Sequence, residues 1–253
     1  MSVLGPLWFW YQVFLLLTSN TFVSSRRKNQ QETLTSVEKS TIQSHNKFGT
    51  FQMASHIPHL IIPDCDHILF EKTALANPHS FYRMNLIQGQ LEIVPPSPVF
   101  SETDEAESNI IADVVIWCRA NENLVGHHGG SQGAYTLRDG NILGPDASVV
   151  LRTRWNALSI SDRRRFPHVA PNFVIELRSA GNSPQYVHRK MLLWINAGVE
   201  EGISIDRISN PPTVRIYSFD ASTSNVVWQE FVNPQTVTSR VLPGFIMDMR
   251  RIL

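Results

Sequence analysis

Polar and apolar positions divide the chain into three stretches. Residues 7–17 are almost all apolar; from Arg26 to about Ser55 the composition turns to Ser, Thr, Gln, Asn and Lys without a sustained apolar period; beyond that, apolar runs return. A polar stretch of the middle kind has too little to bury and reads as a flexible linker. The expected organisation is an apolar segment over 1–25, a linker over 26–55 and a folded domain over 56–253.

Inside the folded part, NLIQGQLEIV (85–94) sets two short apolar stretches around Gln88 and Gly89, the pattern of a hairpin, which PPSP terminates. SETDEAESNIIADVVIWCRANE is helix-like. Ser101 is a capping residue, acidic residues crowd the first turns, and Ile110, Val114 and Trp117 recur at helical spacing. Residues 124–127, 134–137 and 146–151 read as strands separated by GGSQG and RDGN, both rich in turn formers. A loop, TRWNALSISDRRRFPHVAP, leads to the apolar run 173–177, a buried strand. A helix follows over about 184–197, with Pro184 in its first turn and Gly198 just past its end. GISID, TVRIYSF and VVWQEFV add three strands, and VLPGF closes the chain. This order is that of an α/β or α+β sheet domain and not of a sandwich.

Composition refines the picture. With 253 residues, 42% of them hydrophobic, the chain can build a real core. Lys plus Arg equals Asp plus Glu at 22 each, so no global positive charge advertises nucleic acid, although a local groove is all that such binding needs. Cys65 and Cys118 lie far apart without CxxC spacing, which suggests buried free thiols in place of a zinc site or disulfide framework. At the start, Arg26, Arg27 and Lys28 follow the apolar run and do not precede it, the wrong order for an ordinary signal peptide. Stretched over 3–23, the segment is just long enough to span a bilayer. It reads as an uncleaved anchor, an atypical signal or a misassigned start. An intracellular protein is the favoured expectation, with membrane association or secretion following only if residues 1–25 belong to it.

The run FVIEL raises a chemical question, because an unpaired carboxylate in a buried strand is expensive. Residues two apart on a strand share a face, so Glu176 and Arg178 point the same way, roughly 7 Å apart, with Val174, while Phe173, Ile175 and Leu177 line the other face. In the next helix Val187, Lys190, Met191 and Trp194 fall on one stripe. Asp146 opens another apolar strand. Two carboxylates on neighbouring strands plus an ammonium from a packed helix would form a site for a hard divalent cation and an activated water. The competing reading is an ion pair of Glu176 with Arg178 at a sheet edge, with Lys190 snorkelling outward. His127 and His128 face opposite ways in a strand and read as a strand end; Arg163 to Arg165 read as a solvated loop unless they border the site. Nucleotide-binding glycine loops, GxSxG and HExxH are absent from the sequence.

PD followed about thirty residues later by a strand carrying ExX has the spacing of PD-(D/E)XK nucleases. The segments LRDGNILGPDASVVLRTRW, PNFVIELRSAGN, HRKMLLWINAGVEEGISID and VLPGF, with NLIQGQLEIVPPSP and Glu102–Thr103 ahead of them, together resemble the Uma-type restriction endonuclease family of that superfamily over roughly 82–253. The resemblance implies a restriction-endonuclease-like fold, a central mixed β-sheet flanked by helices, and Mg²⁺- or Mn²⁺-dependent hydrolysis of DNA phosphodiester bonds. Asp146 and Glu176 match the metal-binding acids, and the Leu177 carbonyl would complete the metal shell. Arg178 stands at the original place of the motif lysine. Lys190 matches a helical lysine of the family and would orient the attacking water and stabilise negative charge. DNA is the implied partner, contacted by Arg152, Arg154 and Arg163 to Arg165, with a homodimer as the assembly. The chain departs from the family at Asn172 and Asn182, where acids are usual, and in GISID, which keeps Asp206 but lacks the family's aromatic. These losses leave open a catalytically idle fold that binds nucleic acid or protein.

Overall fold

The computed structural model describes residues 59–77, 82–95 and 100–253; the apolar segment 1–25 and the linker 26–55 lie outside the described residues. The first elements are a short strand, β1 (Leu60–Ile62), and a helix, α1 (His67–Ala76), neither of which the periodicity predicts. Asp66 caps α1 by accepting the Leu69 N–H at 2.7 Å. The hairpin forms as expected from β2 (Arg83–Ile87) and β3 (Gln90–Val94). Its two-residue turn needs left-handed backbone at both positions, and Gln88 and Gly89 supply φ of 51° and 75°.

Helix α2 (Phe100–Ala120) begins one residue ahead of Ser101, which therefore lies within the first turn and is not the cap; helix ends are where sequence patterns are least defined. Then come β4 (Val125–Gly130), β5 (Tyr135–Thr136), β6 (Ile142–Leu143) and β7 (Ala147–Leu151). The two-residue β6 is too short to show a period. The expected loop after β7 opens with a helical turn, α3 (Arg152–Asn156), before β8 (Phe173–Leu177). Helix α4 (Pro184–Asn196) is capped by Ser183 and ends against Gly198, whose φ of 112° releases the chain. Strands β9 (Glu201–Asp206), β10 (Thr213–Asp220), β11 (Asn225–Val232), β12 (Thr236–Thr238) and β13 (Ile246–Asp248) complete the fold with a short 3₁₀ turn at Met249–Arg251.

The central sheet has six strands in the order β11-β10-β9-β8-β7-β4; β8 and β9 run parallel and the other neighbours antiparallel. A second sheet, β1-β3-β2-β6-β5, and the β12–β13 pair accompany it. Alternation on the central strands feeds two cores. One face sends Val149, Phe173, Ile175, Ile203 and Ile205 against Ile110, Val114 and Trp117 of α2 and against Phe245 and Met247. The other sends Val150 and Val174 against Met191, Trp194 and Ile195 of α4 and against Tyr135 and Leu143 of the second sheet. Both cysteines are buried and free, as expected.

The joint between β4 and α3 is tightly packed. Half-buried His127 stacks on Trp155 with ring centroids 4.5 Å apart, and a Cβ added to Gly126 would lie 2.3 Å from the Trp155 Cβ and 3.0 Å from the Arg152 Cα. Gly126→Ala is expected to cost about 1–3 kcal/mol of stability, because backbone must move to admit the methyl; urea unfolding of the two proteins measures it. Burial, and then the neighbouring His128, lower the pKa of His127 below the ordinary imidazole range. The unfolded chain therefore takes up this proton first as pH falls, so stability drops through the window between the ordinary and the lowered value. His127→Phe keeps a stacked ring and removes that contribution. Its melting temperature should fall less than that of the natural chain between about pH 7 and about pH 5.

Candidate active site

The placement of Glu176 follows from strand alternation. Phe173, Ile175 and Leu177 belong to the α2 side of the sheet, so Val174 and Glu176 face α4. The stripe of α4 meets them there, with Val187, Lys190, Met191 and Trp194 all buried. Lys190 Nζ lies 2.9 Å from the Glu176 carboxylate and donates also to the Gly144 carbonyl at 2.5 Å. The Trp194 indole N–H donates to Glu176 Oε1 at 2.8 Å. Glu176 and Lys190 are each only 4% exposed. The outward-snorkelling lysine is thus excluded by the geometry, and Glu176 is compensated from the helix. Burial raises the pKa of Glu176; Lys190 opposes the shift, and the charge of nearby Asp146 adds to it.

Asp146 sits on the strand next door, at the entry to β7, where its own N–H donates to the Ile175 carbonyl at 3.0 Å. Its Oδ2 accepts the Leu177 N–H at 2.5 Å, and its Oδ1 accepts the guanidinium of Arg83 from β2. Leu177 thus enters the site through its amide N–H. Arg83 reaches on to Glu107 of α2, 3.3 Å away. Burial disfavours the Arg83 charge, but Asp146, Glu107 and Glu176 outweigh it, so the guanidinium holds its proton more tightly than usual. Burial, then Asp146, push Glu107 above the carboxylate range.

A second branch of the network starts at Gly144. Its N–H donates to Asn85 Oδ1 at 3.1 Å, and the Asn85 amide approaches the Tyr186 hydroxyl at 3.4 Å. Tyr186 in turn donates to buried Glu92 at 3.1 Å, and Arg189 pairs with the same carboxylate. Burial, then Glu92, hold the Tyr186 phenol far above its ordinary range. The central sheet, the second sheet and α4 therefore meet along one polar seam. Beside it, a cleft of about 200 Å³ is lined by Tyr82, Arg83, Ser131, Gln132, Gly144 and Phe166, among others.

Asp146, Glu176 and Lys190 are brought together and Leu177 joins them through its N–H, but the predicted arginines do not. Arg178 turns to Asp206 at 2.8 Å and to the Asn182 carbonyl at 3.1 Å. The residue lies just past the end of β8, so strand alternation no longer governs its direction. Arg152 and Arg154 donate to loop carbonyls, among them Asn123 and Ala170, both at 2.8 Å, and Arg154 pairs with Glu200 at 2.6 Å. Arg163 lies over Trp155, and Arg165 pairs with Glu71. Asn172 accepts the Leu151 N–H at 2.9 Å and donates to Glu200. Arg83, Asn85, Glu92, Glu107, Tyr186 and Arg189 of the seam were not anticipated. Some carry a legible signal. Glu92 is a carboxylate inside the apolar strand QLEIV, as Glu176 is in FVIEL; Glu107 precedes Ile110, Val114 and Trp117 on one helical stripe; Tyr186 stands one turn before Lys190.

No group of three or more His, Cys, Asp or Glu suited to a metal ion occurs among the described residues. Asp146 and Glu176, near enough for the charge of Asp146 to act on Glu176, offer hard oxygen donors. That donor set fits Mg²⁺, which is commonly held by one or two carboxylates and completes its octahedron with water and substrate phosphate. It does not fit a soft-metal cage.

Comparison with known proteins gives the fold and the family. A crystal structure of "a putative nuclease belonging to DUF820 from Anabaena variabilis ATCC 29413" shares the fold with a TM-score of 0.54 and 16% identity, over 70% of this chain and 93% of that one. The fold is thus restriction-endonuclease-like, with a mixed central sheet between helices. A search of curated proteins finds no match. The model of the Uma2 family, described as "Putative restriction endonuclease", matches residues 71–250, a span that holds the whole seam from Arg83 to Trp194, and the chain belongs to that nuclease family.

Proposed function

We propose that the chain is a Mg²⁺-dependent endonuclease that hydrolyses DNA phosphodiester bonds, with Asp146, Glu176 and Lys190 as its working groups. The observation that carries this reading is the meeting of a buried strand glutamate, a neighbouring-strand aspartate and a helical lysine within one seam, with Lys190 Nζ 2.9 Å from Glu176. A divalent cation held there would polarise the phosphoryl oxygen and lower the pKa of a bound water. Asp146 and Glu176 would bind it. The N–H of Leu177 fixes one oxygen of Asp146, and the indole of Trp194 fixes one oxygen of Glu176, so both carboxylates are oriented before any ligand arrives. Lys190, anchored on the Gly144 carbonyl, keeps a positive charge beside the site, where it would orient the attacking water and stabilise charge on the transferring phosphoryl group.

A second reading has its own support: every oxygen of Asp146 and Glu176 already has a protein partner, which is how an idle fold used only for binding would look.

Asp146→Asn and Glu176→Gln keep shape while removing a ligand charge and one of the two accepting oxygens. Each is expected to abolish Mn²⁺ binding and to reduce cleavage of plasmid DNA by at least about 10²-fold, with circular dichroism unchanged. Absence of cleavage by the natural chain in Mg²⁺ and in Mn²⁺, with duplex retention undiminished by Glu176→Gln, would establish the binding module instead. Lys190→Met should behave differently, because it leaves Glu176 buried without its cation. A stability loss of about 3–5 kcal/mol in urea unfolding is expected, and Glu176→Gln in the same chain should restore most of it.

A further inference from the structure

Arg83 has no counterpart in the chemistry assigned above, yet it occupies the centre of the acid cluster. Its guanidinium donates to Asp146 Oδ1 through one nitrogen and faces both oxygens of Glu107 at 3.3 Å through the other. Glu176 lies close enough to add to its charge stabilisation. The side chain is not locked away: it is one-third exposed and lines the cleft beside Gly144. Arginine here takes the geometric role of a bridging cation, two carboxylates from different elements joined through one planar positive group.

We infer that Arg83 is an exchangeable counter-ion of this chain, which a divalent cation must displace from Asp146 before it can bind. The inference rests on the metal-site reading of Asp146 and Glu176 and extends it to a group that controls access to the site. The charge balance supports it. With all groups ionised, Asp146, Glu176 and Glu107 face Arg83 and Lys190, so three negative charges meet two positive ones. A dication arriving with Arg83 in place meets one net negative charge and finds Asp146 Oδ1 already occupied. With Arg83 withdrawn into the cleft it meets two, and a free carboxylate oxygen. The same movement carries a guanidinium into the cleft beside Gly144, where a phosphate diester would be its natural replacement partner.

The test is calorimetric titration of Mn²⁺ into the full chain and into its Arg83→Gln and Arg83→Lys variants, without DNA, alongside melting temperatures with and without Mn²⁺. Removal of a competing charge a few ångströms away is expected to tighten Mn²⁺ binding by Arg83→Gln about tenfold or more, and to enlarge the rise in melting temperature that Mn²⁺ produces. Arg83→Lys keeps the charge but loses the forked reach to Glu107, and should fall between the two. Should Arg83→Gln fail to fold without metal, Arg83→Lys decides alone: a gain in affinity supports the displacement, and none overturns it. Equal or weaker binding by folded Arg83→Gln overturns the inference and leaves the metal site standing. Binding by none of the three overturns both together.

Discussion

A carboxylate in the middle of a strand whose five residues are all buried has to be answered by a cation, and the cation here comes from a helix. That constraint organises the structure around it. For Lys190 to reach Glu176, α4 must lie on the sheet with one stripe inward, and the same stripe delivers Trp194 to the second carboxylate oxygen and Met191 to the core beside Val174. Removing two charges from water costs several kcal/mol each, so such a pair contributes little net stability compared with apolar residues of similar volume. What it does fix is the register of helix against strand, because a shift of one residue would leave both charges unpaired. A core that accepts this cost at one position, next to a second buried acid, is not arranged for stability alone.

Much of this was legible in the sequence, and the limits are physical. The hairpin was readable because its turn demands two left-handed residues and QG provides them; α4 was readable from Ser183 and Pro184 at one end, Gly198 at the other and a clean stripe between. Glu176 announced itself as a charge in an apolar run. Arg178 went astray because the two-residue period holds only while the strand lasts, and β8 ends at Leu177. Arg83, Glu107 and Glu92 escaped for another reason. Their partners lie 63, 24 and 94 residues away in sequence, so pattern can mark Glu92 and Glu107 as out of place but only tertiary packing joins them to those partners. The short elements β6 and α3 are made by their neighbours: Ile142 pairs with Leu86 and Thr136, and Trp155 is held against His127.

The distribution of arginines bears on how a phosphate backbone would be held. Of the five basic residues that sequence offers for such contacts, Arg152, Arg154, Arg163 and Arg165 hold loop carbonyls, stack on Trp155 or pair with Glu71 and Glu200, while Arg164 is exposed. With equal numbers of acidic and basic residues, the chain also lacks the long-range field that drives sequence-independent binding. Attraction for a nucleic acid would then have to be generated locally, at the seam. There Lys190 is committed to Glu176 and Gly144, whereas Arg83 stands beside Asp146 on the cleft side and is one-third exposed. A dication bound at Asp146 would convert an acid cluster with one net negative charge into one with one net positive charge, Arg83 on the cleft side being counted with it. On the proposed reading, such a site would be repulsive or indifferent to phosphate until its acids were neutralised, and would become attractive at the same step that equips it for hydrolysis.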